Sequence, residues 1–325
     1  MKLTRRRFLR LGAAAAALPT VPRMTWAQTY PARPVRWIVG FPAGSSGDMV
    51  ARLTTQWLTD RLGQPFVVEN RPGAGGNIAT EIVARAPSDG YTLLAAGSGH
   101  AINATLNDKL SVNFLRDIAP VAGVIRVPNL MAVNPSLPTR TVPEFIAYAK
   151  ANPGKINMAS AGNGTTPHLT GELFKLMTDV NMLHVPYRGT VPALNDLLAG
   201  QMHVMFGPMP ASIEFAKTGK LHALAVTTAA RWDALPDLPT LAEFLPGFEA
   251  STFYGVGAPK NTPAQIIDKL NNEINLGLAN PTIKARFLDL GGAVMPGSPA
   301  DFGRLIAAET EKWANVVKSA GIRGE

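Results

Sequence analysis

The chain has 325 residues, of which 46% are hydrophobic, and its formal net charge is +8. It contains no cysteine, which excludes thiol catalysis, thiolate metal sites and disulfides, so the fold must be stabilised by core burial. The length exceeds that of a typical single domain and favours two lobes.

The N-terminal segment carries most of the positive charge. Arginines within Thr4–Arg10 precede the weakly apolar run Leu11–Leu18 and a small-residue cleavage site ending at Ala27. This pattern predicts a twin-arginine export signal over residues 1–27, cut near Ala27, and a periplasmic mature protein. The apolar run is too short to span a bilayer, which needs about 20 residues. Without the signal, 25 basic and 23 acidic side chains nearly cancel, which argues against nucleic-acid partners and stable membrane insertion.

In the first half, apolar runs alternate with helical patterns, which is typical of a parallel α/β sheet. The predicted elements are a strand at Val35–Phe41, a helix at Asp48–Leu62, a strand at Phe66–Glu69, a helix at Ile78–Ala86 and a strand at Tyr91–Ala96.

The second half repeats this alternation, with a capping box at Thr141–Glu144 opening a helix that ends at Ala151. The predicted strands are Ile156–Ser160, Met182–Val185, Met202–Phe206 and Leu221–Thr227, and the helices are Pro167–Met177, Val191–Ala199, Pro263–Leu278, Pro281–Leu290 and Pro299–Ala320. No strand is predicted after about Ala258, so we expect the last three helices to pack on the first lobe.

Two glycine-rich turns, Phe41–Asp48 and Ala159–His168, each follow a predicted strand and open a predicted helix. Unpaired N–H groups and the helix dipole make such a turn suited to bind an anion. Two of them suggest a cleft that holds one carboxylate or phosphate from both sides. Ordinary strand-to-helix loops look the same, and the pattern alone leaves both interpretations open.

Motifs for cofactor binding or nucleophilic catalysis are missing from the sequence. The Gly-x-Gly segments at Gly73, Gly97 and Gly162 lack the third glycine of a dinucleotide fingerprint. Gly47 is followed by Asp48 where a phosphate-binding P-loop needs lysine, and no serine has the Gly-x-Ser-x-Gly spacing. We therefore expect binding without chemistry and without a cofactor.

Two histidines invite a functional interpretation. His168 and Glu172 lie one helical turn apart, a spacing compatible with a metal site, but two ligands alone make a poor one, so no metal is expected. His100 lies in a predicted turn, Gly97–His100, directly after a strand. It suits either a ligand contact or an ordinary loop histidine.

Four longer segments resemble a known family. They are Val67-Val-Glu-Asn-Arg-Pro-Gly-Ala-Gly-Gly-Asn-Ile78, Ala86-Pro-Ser-Asp-Gly-Tyr-Thr-Leu-Leu94, Ala147-Tyr-Ala-Lys-Ala-Asn-Pro-Gly-Lys155 and His184-Val-Pro-Tyr-Arg-Gly189. They are similar to the Bug-type extracytoplasmic solute receptors of tripartite tricarboxylate transporters. The resemblance implies an α/β, periplasmic binding protein type II-like fold of two α/β lobes with crossing hinge strands and a ligand cleft between them.

On that pattern the crossings fall near Asn129–Asn134 and Ser251–Ala258. Lobe one would comprise residues 28–130 plus 256–325, and lobe two residues 131–255. One ligand carboxylate would be held by the loops Pro42–Gly47 and Ser160–Thr165 as the lobes close.

The resemblance also implies a set of ligand-binding residues. They are Phe41, Pro42, Ala43, Gly44, Ser45, Ser46, Gly47, Asp48, Ser98, His100, Asn103, Ser160, Ala161, Gly162, Gly164, Thr165, His168, Tyr187, Arg188 and Gly189. Within this set, Asp48 is expected to cap its own helix and shape the loop. Arg188 would either pair a second carboxylate or remain a solvated loop arginine.

The function implied is that of a periplasmic receptor, working as a monomer, which captures a small organic carboxylate and delivers it to the membrane subunits of a tripartite tricarboxylate-type transporter. A periplasmic hydrolase or isomerase acting on a small organic acid is the alternative on the same scaffold. A receptor that senses ligand for a signalling partner also remains open. An enzyme would need a nucleophile or an acid–base pair in the cleft, and no motif supplies one.

Overall fold

The computed structural model describes residues 30–106 and 111–322, and the described residues from Arg33 onward form one compact unit. The predicted export signal lies outside the described residues. The strands are β1 (Val35–Val39), β2 (Phe66–Asn70), β3 (Thr92–Gly97), β4 (Ile118–Val133), β5 (Ile156–Ser160), β6 (Met182–Pro186), β7 (Val204–Pro208), β8 (His222–Val226), β9 (Ser251–Pro259) and β10 (Ala293–Val294).

Several helices begin at a side-chain cap or an N-terminal proline. They are α1 (Ser46–Leu62), α2 (Asn77–Ala84), α3 (Ser98–Leu106), α4 (Phe114–Asp117), α5 (Val142–Ala151), α6 (Thr166–Thr178), α7 (Thr190–Leu198), α8 (Met209–Lys217), α9 (Ala264–Ala279), α10 (Pro281–Asp289) and α11 (Pro299–Ser319). The longest, α11, starts at a capping box in which Ser298 and Asp301 satisfy each other's backbone N–H groups.

The strands follow the order β2-β1-β3-β9-β4-β7-β5-β6, and β8 and β10 also pair with β4. Pairs β1/β2 and β1/β3 are parallel, as are β5/β6 and β5/β7, whereas β4 and β9 run antiparallel to their neighbours. The two halves thus share one topology, with β1 and β5 as equivalent central strands. In each half the strand order reverses beside that central strand, which is where open α/β sheets form a ligand crevice.

Two strands connect the halves. Residues of β4 up to Pro128 pair with β9, and residues from Asn129 onward pair with β7 and β8. The second connection enters β9 at Ser251, which pairs with Pro128. Both lie at the positions where the sequence predicted crossings.

Several predictions about elements were wrong. The segment predicted as a turn at Gly97–His100 enters helix α3, and α8 was not predicted. A short strand, β10, follows Ala258, so the antiparallel part of the sheet was underestimated. These elements are short or glycine-containing, and such segments carry little periodicity.

Helix α11 packs on both halves of the molecule and not on the first alone. Phe302 and Ile306 join the core of the first half with Phe253 and Ile38. About two to three turns further on, Trp313 and Val317 join the core of the second half. The predicted packing of the last helices was therefore incomplete, because one 21-residue helix is long enough to span both cores.

Asn129 ties the crossing strands together. Its side chain, fully buried, donates to Thr170 Oγ1 on α6 at 2.9 Å and accepts from Thr252 Oγ1 on β9 at 3.0 Å. Its backbone N–H and C=O are both bonded to Thr227. One residue therefore fixes a strand of each half and the helix that follows the second glycine turn.

We expect Asn129→Ala to lower the free energy of unfolding by about 2–4 kcal/mol, because it leaves two buried hydroxyls without a partner. Urea unfolding measures this. The exposed Asn181 is the matched control, and Asn181→Ala should change stability by about 0.5 kcal/mol or less. Equal effects of the two substitutions would contradict the role given to Asn129.

Candidate functional site

Helix α1, which follows the first glycine turn, is capped by Ser45 and not, as predicted, by Asp48. Ser45 has extended backbone angles, and its side chain accepts from Asp48 N at 3.4 Å. Helix α1 therefore begins at Ser46, and Asp48 is its third residue. Ser46 N and Gly47 N have no hydrogen-bond partner among the described residues.

Asp48 shapes the turn from behind. Its carboxylate accepts from Gly44 N, Arg52 Nε and Asn70 Nδ2, each at 2.9 Å. Burial alone would raise the pKa of Asp48, but these three hydrogen bonds together hold that pKa below its ordinary value. The ionised side chain is fully engaged with the loop and lies away from the cavities described below.

The second turn is held in the same way by different residues. Gly162 N donates to Ser160 Oγ at 3.2 Å, and Gly164 N donates to His168 Nδ1 at 3.2 Å. Thr165 is the N-cap of α6, and its hydroxyl donates to Gly162 O at 2.7 Å. Thr166 N and His168 N then remain without partners among the residues described.

A stacked pair of imidazoles supports this second turn. The rings of His168 and His184 are parallel within 8° and 3.9 Å apart, and His184 Nε2 shares a 2.6 Å hydrogen bond with Ser160 Oγ. Burial lowers the pKa of His168 to about 3 and that of His184 to about 4, with Lys175 adding to both shifts and His184 to that of His168. Both rings are neutral at pH 7, which leaves His168 Nδ1 free to accept from Gly164.

The two turns meet at a cavity of about 40 Å³, which we name the inner cavity. Its lining residues are Val39, Phe41, Ser45, Ser46, Gly47, Ala95, Gly97, Ser98, Gly99, His100, Ala161, Thr165, Thr166, Pro167, Thr190, Pro208, Thr252 and Tyr254. The N-termini of α1 and α6 both reach it, and none of these residues is acidic, lysine or arginine. Backbone N–H groups and two helix dipoles therefore dominate its electrostatics.

A wider outer cavity of about 740 Å³ adjoins the inner one, sharing Phe41 and Ala161 with it. It is lined by Gly40, Phe41, Pro42, Pro72, Gly73, Ala74, Gly75, Gly76, Asn77, Asn103, Leu106, Ala161, Gly162, Asn163, Pro186, Tyr187, Arg188 and Gly189. Arg188 is its one charged lining residue, and no acid of the described chain lies within ion-pair distance of it. Tyr187 is anchored by a 2.6 Å hydrogen bond to Asp196.

The rims of the cleft touch across the outer cavity. A methyl group on Gly189, whose φ is +121°, would lie 2.7 Å from Pro42 Cδ. One on Gly164, with φ of +69°, would overlap the side chains of Leu106 and Asn103. Only glycine permits these approaches, so residues of the two halves lie in contact across the cleft.

Fourteen of the predicted ligand-binding residues line a cavity. Phe41, Ser45, Ser46, Gly47, Ser98, His100, Ala161 and Thr165 line the inner one, and Phe41, Pro42, Asn103, Ala161, Gly162, Tyr187, Arg188 and Gly189 line the outer one. The remaining six, Ala43, Gly44, Asp48, Ser160, Gly164 and His168, line neither. They form the turns or brace them from behind, which a linear motif cannot distinguish from facing the cleft.

Several wall residues were not predicted. Thr252 and Tyr254 come from the crossing strand β9, and in the second half Thr190 begins α7 and Pro208 ends β7. Gly73–Gly76 line the outer cavity. They lie in the segment Val67–Ile78, which resembles the family, but were not predicted to bind ligand. The predicted crossing near Ser251–Ala258 was the available signal, because a crossing strand forms the floor of a cleft between lobes.

The structure also bears on catalysis and metals. Ser160 and His184 form a close serine–histidine contact, but neither lines a cavity. Among residues 30–106 and 111–322 no group of three or more metal-ligating side chains is found. His168 Nε2 lies 3.8 Å from Glu172, whose carboxylate is bound by Lys175 at 2.9 Å.

Comparison with known proteins gives a consistent result. The family model described as "Tripartite tricarboxylate transporter family receptor" matches residues 50–322. Protein BugT of Bordetella pertussis is 39% identical over 91% of this chain and 92% of its own length. Two solved structures are similar: R. palustris Rpa4515 with adipate (40% identity, TM-score 0.88, 90% of this chain and 99% of that one) and MatC from Rhodopseudomonas palustris with bound malate (33%, 0.84, 89% and 100%).

The neutral histidines predict a pH dependence of stability. Their folded pKa values lie below the unfolded value of about 6.5, so the unfolded chain takes up protons first as the pH falls. Stability is full above about pH 6.5 and is lost toward the folded pKa values, by about 1.4 kcal/mol per pH unit for each buried histidine. Urea unfolding at pH 7 and pH 5 measures this loss. Both pH values lie above the ordinary pKa values of carboxyl groups.

His168→Asn keeps an acceptor for Gly164 N. It should reduce the loss of unfolding free energy between pH 7 and pH 5 by the contribution of one buried histidine. His222→Asn, on β8 and farther toward solvent, is the control and should change the slope less. An unchanged slope in His168→Asn would show that the pKa of His168 is the same in the folded and the unfolded chain, which contradicts the prediction.

Proposed function

Because this chain belongs to the tripartite tricarboxylate transporter receptor family, we propose that it is a periplasmic receptor that captures a small organic carboxylate by lobe closure and delivers it to the transporter's membrane subunits. The matched family and the liganded neighbours are receptors, so the chain is a solute-binding protein and not an enzyme. The hydrolase or isomerase alternative is set aside.

The observation that carries the proposal is the convergence of two helix N-termini on the inner cavity. Each terminus carries a partial charge of roughly +0.5, so the two together match one carboxylate. The unpaired N–H groups of Ser46, Gly47 and Thr166, which all line the inner cavity, supply fixed donors. No side chain must ionise or be ordered to bind the anion, since the turns are braced before the ligand arrives.

Closure follows from the same geometry. The first turn belongs to one half and the second turn to the other, so only the closed state brings both sets of donors to one anion. Without an anion the two positive helix ends repel each other. The ligand therefore stabilises the closed state by its differential affinity for it.

The outer cavity supports a ligand with a second anionic group. Arg188 forms no ion pair with a residue of the described chain, and no acidic residue lines either cavity. A dicarboxylate would place one end between the helix N-termini and the other near Arg188. Relatives with adipate and with malate carry such ligands.

The lobes remain part of the proposal. We retain residues 28–130 plus 256–325 as lobe one and 131–255 as lobe two. The pairing of β9 with β3 and β4 supports moving the second boundary back to Ser251. Export by the twin-arginine route and a monomeric state are proposed from the sequence and family. No helix among the described residues has the length and apolarity to cross a bilayer.

The ligand class is tested by a thermal-shift screen of residues 28–325 against mono-, di- and tricarboxylates and their amides. Dicarboxylates at about 100 times their Kd should add about 2.7 kcal/mol of stability. Arg188→Gln should weaken dicarboxylates about tenfold and leave monocarboxylates unchanged, since it removes only the distal cation. Stabilisation by amides but not by acids would contradict the proposal.

Lys155→Gln is the matched control for Arg188→Gln. Lys155 is exposed and precedes β5, at the opposite end of that strand from the second turn. Lys155→Gln makes the same change in net charge as Arg188→Gln. Because Lys155 lies away from the second turn, the substitution should leave all affinities unchanged. An equal loss in both variants would indicate long-range attraction and no contact.

Closure is tested with Gly189→Ala, whose methyl group would meet the rigid ring of Pro42 at 2.7 Å only when the cleft is shut. We expect at least a tenfold loss of affinity for every carboxylate and loss of ligand-induced compaction in small-angle scattering.

Gly154→Ala is the control, because Gly154 also has a left-handed φ of +73° but no atom within 4 Å of the added methyl. It introduces positive-φ strain without the contact, milder than at Gly189, whose φ of +121° and ψ of 171° only glycine readily adopts, and it should keep wild-type affinity. If Gly189→Ala kept wild-type affinity and ligand-induced compaction, the proposed closure at Gly189 and Pro42 would be wrong.

A further inference from the structure

Two residues that line the inner cavity carry buried polar atoms with no hydrogen-bond partner in the described part of the chain: Ser46 Oγ and both ring nitrogens of His100. Ser46 is 1% exposed and His100 is 2% exposed. The five other orphaned side-chain atoms among the described residues belong to residues that line neither cavity. Native proteins rarely leave buried polar atoms unpaired, so this clustering indicates a missing partner inside the cavity.

Neighbouring side chains do not supply that partner. Ser45 Oγ is bonded to Asp48 N, Ser98 Oγ accepts from Phe253 N at 2.9 Å, and Thr252 Oγ1 donates to Asn129. His100 is flanked by the rings of Phe41 and Phe114, at 6.3 and 5.5 Å between centroids. Gly97 O approaches the imidazole without reaching hydrogen-bond geometry.

The groups that face this part of the cavity are neutral. Burial lowers the pKa of His100 to about 4. Burial raises the pKa of Tyr254, and the Ser46 hydroxyl, which approaches the Tyr254 hydroxyl without reaching hydrogen-bond geometry, offsets this in part. A neutral imidazole presents one donor and one acceptor, and each hydroxyl can do both.

An ionised carboxylate accepts hydrogen bonds only, so it cannot satisfy the acceptor nitrogen of His100. An ammonium group has no carboxylate to pair with in this cavity. A hydroxyl both donates and accepts, and it fits beside a carboxylate held by the helix N-termini if it is attached to the adjacent carbon.

We propose that Ser46, His100 and Tyr254 form a hydroxyl subsite, so that this receptor prefers 2-hydroxycarboxylates to the corresponding unsubstituted acids. The inference rests on the proposed carboxylate function and names the ligand class of the same cleft. Because the subsite is fixed and chiral, it also selects one enantiomer.

The test is calorimetric titration of the wild-type receptor with matched pairs, malate against succinate and lactate against propionate, using both enantiomers of each hydroxy acid. We expect one enantiomer to bind at least about tenfold tighter than the unsubstituted acid. Ser46→Ala removes the hydroxyl and keeps the backbone donor, and His100→Phe keeps a ring between Phe41 and Phe114. Each should reduce the ratio of the affinities for the hydroxylated and the unsubstituted acid several-fold.

Ser45→Ala is the matched control. It removes the adjacent hydroxyl, which caps α1, so it should lower the melting temperature and weaken both members of each pair alike. Melting temperatures of all variants confirm folding. Equal binding of hydroxylated and unsubstituted acids by the wild type would overturn the subsite, as would a preference that survives both Ser46→Ala and His100→Phe. Absence of binding by every carboxylate would instead overturn the proposed function.

Discussion

The positive ends of two helices, brought face to face, are the constraint around which this molecule is organised. Helices α1 and α6 leave the equivalent central strands β1 and β5 and point their unpaired N–H groups at one cavity of about 40 Å³. Like partial charges this close repel each other unless an anion lies between them. Every other feature of the cleft either holds these two helix ends in place or determines which other groups enter with the anion.

The two turns are braced by different chemistry for the same purpose. Asp48, ionised and bonded to three donors, fixes the first turn, whereas the neutral His168–His184 stack and Ser160 fix the second. Neither brace lines a cavity. Charge near the anion is thereby avoided, since a carboxylate in the cavity would oppose the ligand. Asn129 then connects the second helix to the crossing strands, so the site and the hinge share one hydrogen-bond network.

Sequence patterns were informative where they are local. The turn around Gly44 and the turn around Gly162 follow from strand, glycine and helix signals that lie within ten residues of each other, and the structure puts both at one cavity. The same patterns misassigned Asp48 as the cap, because Ser45 three residues earlier competes for the same N–H. They also missed α3, where His100 lies on a helix whose glycine and serine content hides its periodicity.

By itself the sequence determined an α/β chain, its two glycine turns and the family it belongs to, since these depend on short-range patterning and on matched segments. Tertiary structure alone decided which side chains face the cleft. Tyr254 and Thr252 reach the inner cavity from a strand more than 80 residues after the second turn, while His168, within that turn, points away. Whether a side chain faces the cleft depends on how distant strands pair and on the rotation of each helix about its axis. Those outcomes are set by packing the whole core, so no local motif records them.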